Sequence, residues 1–203
     1  MQVKFCGMTT TEDIRLVNEL RPDLVGMVLF FEKSKRNLTI RQAGELLSLL
    51  SPEILPVAVM VSPSPEQAKS AQDAGFAYLQ IHGEITPGVL SQTSIPILKA
   101  FNLSDLDQLE RYQKDTRIAG YVFDAAEPGS GKTFDWTMLS QIPRSGKLCF
   151  LAGGLTPENV AEAIRTVHPD GVDVSSGIEY GERQGKDPEK ARRFLQALDI
   201  FGD

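Results

Sequence analysis

The sequence has few of the residues that build disulfide frameworks or metal sites. It contains two cysteines, Cys6 and Cys149, and two histidines among 203 residues. The cysteines do not form a C-x-x-C pair, so the sequence predicts no disulfide scaffold. Because a typical zinc site needs several histidine or cysteine ligands, we also expect no metal centre.

Long apolar runs and an excess of basic residues are also absent. No run approaches the ~20 apolar residues that a membrane-spanning helix needs, and residues 1–6 lack a signal-peptide profile. The 27 acidic and 21 basic residues give a formal net charge of −6. Such a surface repels nucleic acids and anionic membranes, whereas a few local N–H donors still suffice to bind a small anion. We therefore expect a cytoplasmic protein, a monomer or a homodimer, with a small-molecule partner and neither nucleic acid nor membrane.

Eight short runs rich in Val, Ile, Leu and Phe predict β-strands. The runs are continuously apolar rather than alternating, which is typical of parallel strands that are covered on both faces. They span residues 3–6, 24–30, 54–61, 77–81, 95–101, 118–123, 147–152 and 171–174.

Helix-start signals lie between these runs. In a capping box, two side chains satisfy each other's free main-chain N–H groups across a spacing of three residues. That spacing occurs in three pairs, Thr9 with Glu12, Thr39 with Gln42, and Ser64 with Gln67. A capping residue before a proline predicts two more helix starts, at Thr156-Pro157 and Asp187-Pro188.

Eight strand–helix units in a chain of this length predict an α/β fold, a single (β/α)₈ (TIM) barrel over residues 1–203. The alternative is an open doubly wound sheet, which normally has fewer strands. Active sites of (β/α)₈ barrels lie at the carboxyl ends of the strands. Residues that can do chemistry follow the predicted strand ends here, namely Cys6, Arg36, Gln80, His82, Asp124 and Asp173. This clustering predicts an enzyme.

Glycine and serine follow the last two predicted strands. Gly153 and Gly154 come after the seventh strand, and Ser175, Ser176 and Gly177 come after the eighth. Glycine permits the close approach and the unusual dihedral angles that an anion cradle needs. Loops at these two places in (β/α)₈ barrels often bind phosphate. We therefore predict a phosphate site, with plain tight turns as the alternative.

Five segments resemble the signature sequences of one enzyme family, in that family's order and over nearly the whole chain. They are Lys4-Phe5-Cys6-Gly7, Gln80-Ile81-His82-Gly83, Gly131-Lys132-Thr133-Phe134-Asp135-Trp136, Leu151-Ala152-Gly153-Gly154-Leu155 and Val172-Asp173-Val174-Ser175-Ser176-Gly177. With these segments the chain resembles the phosphoribosylanthranilate isomerases. The resemblance implies a (β/α)₈ barrel and an Amadori rearrangement, of an aminoaldose to an aminoketose, in tryptophan biosynthesis.

The resemblance also implies an acid and a base. Cys6 matches the family's general base and Asp124 its general acid, and no metal or organic cofactor is implied. A thiol has an ordinary pKa of about 8.5, so modest stabilisation of the thiolate brings it near neutrality. Aspartate has an ordinary pKa of about 3.9, so burial or nearby negative charge must raise it before the carboxyl donates a proton.

Arg36 matches a substrate-contacting position in this resemblance, and three further candidates lie at the predicted strand ends. Arg36 corresponds to an arginine that suits bidentate pairing with the anthranilate carboxylate. The family more often has Ser-Pro-Arg where this chain has Ser34-Lys35-Arg36, so we expect a looser loop here. Gln80, His82 and Asp173 are predicted either to orient ribose hydroxyls or the carboxylate, or to make structural hydrogen bonds.

Other functions remain open at this point. Residues 126–133 match a relaxed Walker A pattern, but Ala126 replaces its first glycine and Pro128 removes an N–H, which favours an active-site loop instead. A histidine-pathway sugar isomerase performs the same rearrangement but typically has aspartate where Cys6 stands. An indole-glycerol-phosphate synthase would need a rim lysine, for which Lys99 is the comparable candidate. A non-catalytic module that binds a phosphorylated ligand is the third alternative.

Overall fold

The strands of the protein belong to one parallel sheet. A computed structural model describes residues 1–124, 136, 139 and 146–201. All neighbouring strands in it pair in parallel. The strands are β1 (Gln2–Cys6), β2 (Leu24–Leu29), β3 (Asn37–Leu38), β4 (Leu55–Val61), β5 (Tyr78–His82), β6 (Ile97–Asn102), β7 (Ile118–Asp124), β8 (Leu148–Ala152) and β9 (Gly171–Val174).

Helices connect successive strands. The α-helices of the described residues are Thr11–Leu20, Ile40–Leu47, Pro65–Asp73, Pro87–Gln92, Leu109–Gln113, Val160–Val167 and Pro188–Gln196. Short 3₁₀ helices span Leu103–Gln108, Ser176–Ile178 and Asp199–Phe201. Within the part of the chain that the structure describes, no helix is both long and apolar enough to cross a membrane.

Pairing of the first strand with the last closes the sheet into a barrel. β1 pairs with β2 on one side and with β9 on the other. The order then continues from β9 through β8, β7, β6, β5 and β4 back to β2, so eight strands form a ring. The predicted (β/α)₈ barrel is confirmed. The two-residue β3, which sequence analysis missed, pairs with β2 outside the ring, so the seventh and eighth predicted strands are β8 and β9.

Apolar side chains fill two separate regions. One cluster occupies the inside of the barrel and contains Leu24, Val57, Val59, Leu98, Ala100, Val122, Phe150 and Ala152. The larger cluster lies between the strands and the helices, and it includes Phe5, Leu79 and Phe101 from the opposite faces of the strands. The strands are continuously apolar in sequence because both of their faces are covered.

Three of the five predicted helix starts are confirmed. Thr39 and Ser64 cap the helices Ile40–Leu47 and Pro65–Asp73 in capping boxes with Gln42 and Gln67. Asp187 caps the helix Pro188–Gln196, and its side chain accepts hydrogen bonds from the main-chain N–H groups of Glu189 and Lys190.

The first helix begins one residue later than predicted. Its capping box joins Thr10 with Asp13, so the predicted pair of Thr9 with Glu12 is wrong. Residues 9, 10 and 11 are all threonine, and spacing alone does not distinguish between neighbouring threonines. Asp13 is 2% exposed whereas Glu12 lies in solvent, so burial decides which acid is used.

The predicted helix start at Thr156 is also wrong. Thr156 accepts a hydrogen bond from Glu158, but residues 157–159 form a turn. The helix Val160–Val167 follows with Asn159 at its N-cap. The side chain of Asn159 accepts a hydrogen bond from the main-chain N–H of Thr156, 2.8 Å away, which closes this turn before the helix begins.

Replacement of Asp13 tests the connection between the first helix and the loop that follows β9. The carboxylate accepts hydrogen bonds from the main-chain N–H groups of Thr9, Thr10 and Lys186, at 2.8, 3.0 and 2.7 Å. Loss of these buried bonds in Asp13→Ala should lower the free energy of unfolding by about 3 kcal/mol in urea denaturation. The control is Glu12→Ala in the same turn, which should stay within ~0.5 kcal/mol of wild type. Equal effects of the two variants would contradict the assignment.

Candidate active site

A cavity of about 260 Å³ opens where the barrel strands end. Ten of the eleven predicted site residues line it, namely Cys6, Arg36, Gln80, His82, Asp124, Gly153, Gly154, Asp173, Ser175 and Ser176. Apolar side chains complete the described lining, with Val28, Val59, Val122, Ala152 and Leu155. The polar residues come from loops and strands that are far apart in sequence, and the barrel brings them to one rim.

Gly177 does not belong to the described lining of this cavity, and its contact with phosphate stays a prediction. The structure gives it a packing role. A β-carbon at this position would overlap the carbonyl oxygen of Leu155 in the loop after β8. The absence of a side chain therefore lets the loops after β8 and β9 pack against each other.

The two loops predicted to bind phosphate have the expected backbone freedom. Gly153 and Gly154 have φ angles of +84° and +65°, in the left-handed region that favours glycine. Ser175 donates a hydrogen bond of 3.0 Å from its hydroxyl to the carbonyl oxygen of Cys6, which ties the loop after β9 to the end of β1. Ser176 begins the short 3₁₀ helix Ser176–Ile178.

Cys6 and Asp124 occupy equivalent positions on two strands. Cys6 is the last residue of β1 and Asp124 the last residue of β7, and both face the cavity. Burial raises the pKa of the Cys6 thiol, although the ammonium groups of Lys4 and Lys186 act in the opposite direction. The expected stabilisation of the thiolate is therefore present, but burial outweighs it in this structure.

An ion pair lies inside the barrel, one layer deeper than Cys6. Lys4 is fully buried, and its Nζ lies 2.8 Å from Oδ2 of Asp173 on the neighbouring strand β9. The other carboxylate oxygen, Oδ1, is buried and has no hydrogen-bond partner among the described residues. Asp173 lines the cavity, and its Oδ1 retains the capacity to accept a hydrogen bond.

Gln80 and His82 lie on the inner face of β5. Burial, together with the positive charges of Lys4 and Lys99, lowers the pKa of His82 to about 4. The imidazole is therefore neutral at pH 7. The Gln80 Nε2 atom lies 3.2 Å from the His82 Nε2 atom. With the amide oriented to donate, the imidazole proton resides on Nδ1.

Glu179, which sequence analysis missed, binds three cations at the edge of the cavity. Its carboxylate accepts hydrogen bonds from Arg36 Nε at 2.5 Å and Nη2 at 2.9 Å. Nζ of Lys186 and Nζ of Lys35 each lie 3.1 Å from it. Burial raises the pKa of Glu179, but the hydrogen bonds and charges of Arg36 and Lys186 outweigh burial and lower it to about 2. The residue is thus a buried, fully ionised carboxylate.

This carboxylate fixes Arg36 in place. The loop lacks the proline that the family more often has, and Lys35 stands there instead. A bidentate pair constrains a guanidinium in both position and orientation, so the structure shows a held arginine where sequence analysis expected a looser loop. The exposed Lys35 adds little to this, because surface ion pairs contribute about 0–1 kcal/mol.

The sequence as a whole matches one family. A family model described as N-(5'phosphoribosyl)anthranilate (PRA) isomerase matches residues 3–197. The chain belongs to this family. It is therefore an isomerase of tryptophan biosynthesis.

Individual relatives of the PRA isomerase family resemble the chain along its whole length. The N-(5'-phosphoribosyl)anthranilate isomerase of Geotalea daltonii is 38% identical over 96% of this chain and 95% of its own. That of Thermoanaerobacter sp. is 40% identical over 98% of both chains. The solved structure of the Thermotoga maritima enzyme has a TM-score of 0.86 at 33% identity, covering 98% of this chain and 99% of that one.

One solved PRA isomerase carries a bound ligand. It is a complex with reduced 1-(o-carboxyphenylamino)-1-deoxyribulose 5-phosphate, with a TM-score of 0.83 at 31% identity. It covers 98% of this chain and 99% of its own.

Two of the alternative functions raised by the sequence depend on residues that can be compared with this PRA isomerase barrel. Lys99 does not lie in the described lining of the cavity; its Nζ packs over the rings of Phe101 and Tyr112, 4.5 and 5.5 Å from their centroids. Lys99 therefore does not provide the rim lysine that an indole-glycerol-phosphate synthase would need. The Walker-like segment 126–133 lies outside the described residues, so its interpretation as an active-site loop stays a prediction.

Substitution of Glu179 tests its role in holding Arg36 and Lys186. Glu179→Gln leaves both cations without their counter-charge, so we expect a loss of about 3 kcal/mol in urea denaturation at pH 7. The folded-state pKa of about 2 lies below the ordinary value of 4.5. The contribution is therefore fully present above pH 4.5 and is lost as the pH falls toward 2. The stability difference between wild type and variant should narrow over that range.

The matched control for this variant is Glu182→Gln in the exposed part of the same loop. It should have the stability of wild type at each pH. A deficit of Glu179→Gln that stays constant from pH 5 to pH 2 would rule out the ionised cluster.

The neutral state of His82 is testable by NMR. In the variant His168→Asn, His82 is the single histidine, and asparagine tolerates the left-handed φ of +50° at that position. The ring resonances of His82 should titrate near pH 4, not near 6.5. Because the unfolded chain binds this proton at higher pH, the contribution of His82 to the free energy of unfolding should fall by about 3 kcal/mol between pH 6.5 and pH 4. A midpoint near 6.5 would exclude the buried neutral ring.

Proposed function

We propose that Cys6 and Asp124 carry out the isomerisation of N-(5'-phosphoribosyl)anthranilate to 1-(2-carboxyphenylamino)-1-deoxyribulose 5-phosphate, as base and acid. The observation that carries this proposal is that a thiol and a carboxyl group line the same cavity as two glycine- and serine-containing loops. An Amadori rearrangement needs an acid and a base, because one proton is added to the ring oxygen and another is removed from C2 of the same sugar phosphate.

Asp124 acts first, as the acid. Its carboxyl group donates a proton to the ring oxygen of the ribose, and the bond between that oxygen and C1 breaks. The lone pair of the anthranilate nitrogen forms the C1=N bond of a protonated Schiff base. The products of this step are an open-chain hydroxyl group and a cationic imine.

Cys6 acts second, as the base. Its thiolate accepts the proton from C2, the C2–H electron pair forms the C1=C2 bond, and the imine electron pair returns to nitrogen. The resulting enolamine tautomerises to the ketone as the C2 hydroxyl loses a proton and C1 gains one. The cationic imine and the ammonium groups of Lys4 and Lys186 favour the thiolate against the effect of burial.

The two ends of the substrate are both anionic. We place its phosphate in the loops of Gly153, Gly154, Ser175 and Ser176, since all four residues line the cavity and glycine exposes main-chain N–H groups there. The ligand of the solved relative likewise carries a 5-phosphate and a carboxyphenyl group. We place the carboxylate at Arg36.

Arg36 binds this carboxylate through the N–H groups that Glu179 does not use. Glu179 takes Nε–H and one of the two N–H groups of Nη2, so Nη1 and the second N–H of Nη2 can make the bidentate contact expected from the sequence. Between the two anionic ends, Asp173 Oδ1 accepts a hydrogen bond from a ribose hydroxyl. The neutral imidazole of His82, oriented by Gln80, completes the polar wall of the cavity.

The proposed reaction uses neither metal nor organic cofactor, because each step is a proton transfer without net oxidation or reduction. We further propose that the protein is cytoplasmic and acts as a monomer or a homodimer. One solved relative is described as a monomer generated from the dimeric Thermotoga maritima enzyme.

The decisive experiment compares wild type, Cys6→Ser and Asp124→Asn on freshly prepared substrate. Loss of the anthranilate fluorescence reports turnover, after treatment with a chelator and extensive dialysis. Because a positioned acid or base contributes ~10²–10⁴-fold, we expect each variant to be slower by that factor. The control is Cys149→Ser on the outer face of β8, which should keep wild-type turnover. Full activity of both site variants would overturn the assigned roles.

Two measurements on wild type test the alternative functions. Turnover of the histidine-pathway aminosugar would identify a bifunctional enzyme. Tight binding of N-(5'-phosphoribosyl)anthranilate without turnover would instead identify a non-catalytic binding module.

A further inference from the structure

Lys4 is a buried cation on the same strand and the same face as Cys6. It lies two residues earlier on β1, inside the barrel, and its side chain is completely inaccessible to solvent. Ionised lysine is costly to bury, so it requires a counter-charge. Asp173 supplies one through the contact of 2.8 Å with Oδ2. An apolar residue at this position would avoid the free-energy cost of burying a charge, so the ammonium group itself is expected to have a role.

Gly26 brings the ammonium and the thiol together. It pairs with Cys6 in the register of β1 and β2. A β-carbon placed on Gly26 would lie 2.7 Å from Sγ of Cys6 and 3.0 Å from Nζ of Lys4. The sulfur and the nitrogen therefore lie less than about 6 Å apart, around a space that only glycine leaves open.

We propose that Lys4 is a positioning residue for the isomerisation, whose ammonium group stabilises the Cys6 thiolate and holds Asp173 with Oδ1 directed at the substrate. Gly26 is part of this arrangement because it leaves the space in which the two groups meet. The proposal rests on the proposed function of Cys6 as the base. It adds that the positive charge of Lys4 stabilises the thiolate on which that function depends.

The charges around Cys6 agree with this role. After burial, the strongest influence on the thiol pKa is Lys4, which lowers it, and repulsion by Asp173 is weaker. Lys186 acts in the same direction as Lys4, but its Nζ is 3.1 Å from Glu179 and 3.2 Å from the carbonyl oxygen of Ser175. Lys4 remains an ammonium group, because Asp173 and Cys6 outweigh burial and raise its pKa.

The remaining charged and titratable groups of the cavity come from other elements. They are Arg36 in the loop after β2, His82 on β5 and Asp124 on β7. Arg36 is paired with Glu179 and His82 is neutral at pH 7. These groups remain in every variant used below. Removal of Lys4 raises the pKa of His82 toward its ordinary value of about 6.5, which is still below the pH range in which a thiol titrates.

The test measures the thiolate of Cys6 in the free protein, without substrate. In a Cys149→Ala background, Cys6 is the single cysteine, and iodoacetamide reacts with its thiolate rather than with its thiol. The alkylation rate is followed against pH for Lys4→Met, Asp173→Asn and the double variant Lys4→Met/Asp173→Asn. Circular dichroism and urea denaturation test whether each variant is folded.

Removal of the positive charge and removal of the negative charge should shift the alkylation midpoint in opposite directions. Lys4→Met should move the alkylation midpoint to higher pH and slow the reaction at pH 8 at least about tenfold. Asp173→Asn should move the midpoint to lower pH, because it removes a negative charge near the thiolate. The double variant carries the test even if Lys4→Met does not fold, since it leaves no unpaired buried charge. It should also titrate at higher pH than wild type.

A purely structural role for Lys4 gives a different result. Loosened packing would expose Cys6 and make its alkylation faster in the double variant, at an unchanged or lower midpoint. That outcome would overturn the proposal. The result is independent of catalysis, because loss of turnover in Cys6→Ser tests the base itself, whereas the alkylation midpoint tests its electrostatic partner. In the folded lysine variants, the pH at which turnover reaches half its maximum should rise together with the alkylation midpoint.

Discussion

β1 pairs with β2 and with β9 at the same time, and this double pairing positions the cavity residues relative to one another. Closure of the ring leaves all eight barrel strands pointing in one direction, so their carboxyl ends share one rim. Cys6 and Asp124, each the last residue of its strand, therefore face a common space. The same closure removes the edges at which a parallel sheet would otherwise be open.

The inside of the barrel combines an apolar layer with paired charges. Leu24, Leu98 and Phe150 belong to the apolar cluster. One layer deeper than Cys6, Lys4 and Asp173 neutralise each other, and Glu179 neutralises the cations next to it. Burial makes each of these charges costly alone, so their geometry is constrained more tightly than that of surface ion pairs. Such constraint suits the proposed site, which must orient a substrate with two anionic ends.

The accuracy of sequence reasoning depended on how local each feature is. Strands were located to within one or two residues of their bounds, because continuous apolarity is a property of the segment itself. Helix starts were located where one capping residue stands alone, as at Thr39 and Ser64. They were misplaced where several candidates adjoin or where a turn precedes the helix, as at residues 9–11 and 156–159.

By itself, the sequence determined the barrel and the set of residues that meet at its rim, where the chemistry is proposed, since the strand-end residues follow from the order of the apolar runs. Only the tertiary structure decided the partners of the charges. Arg36 pairs with Glu179 across 143 residues of chain, and Lys4 with Asp173 across 169. Neither pair leaves a local pattern, because each exists only once closure of the barrel has brought the beginning of the chain against its last strand and the loop that follows.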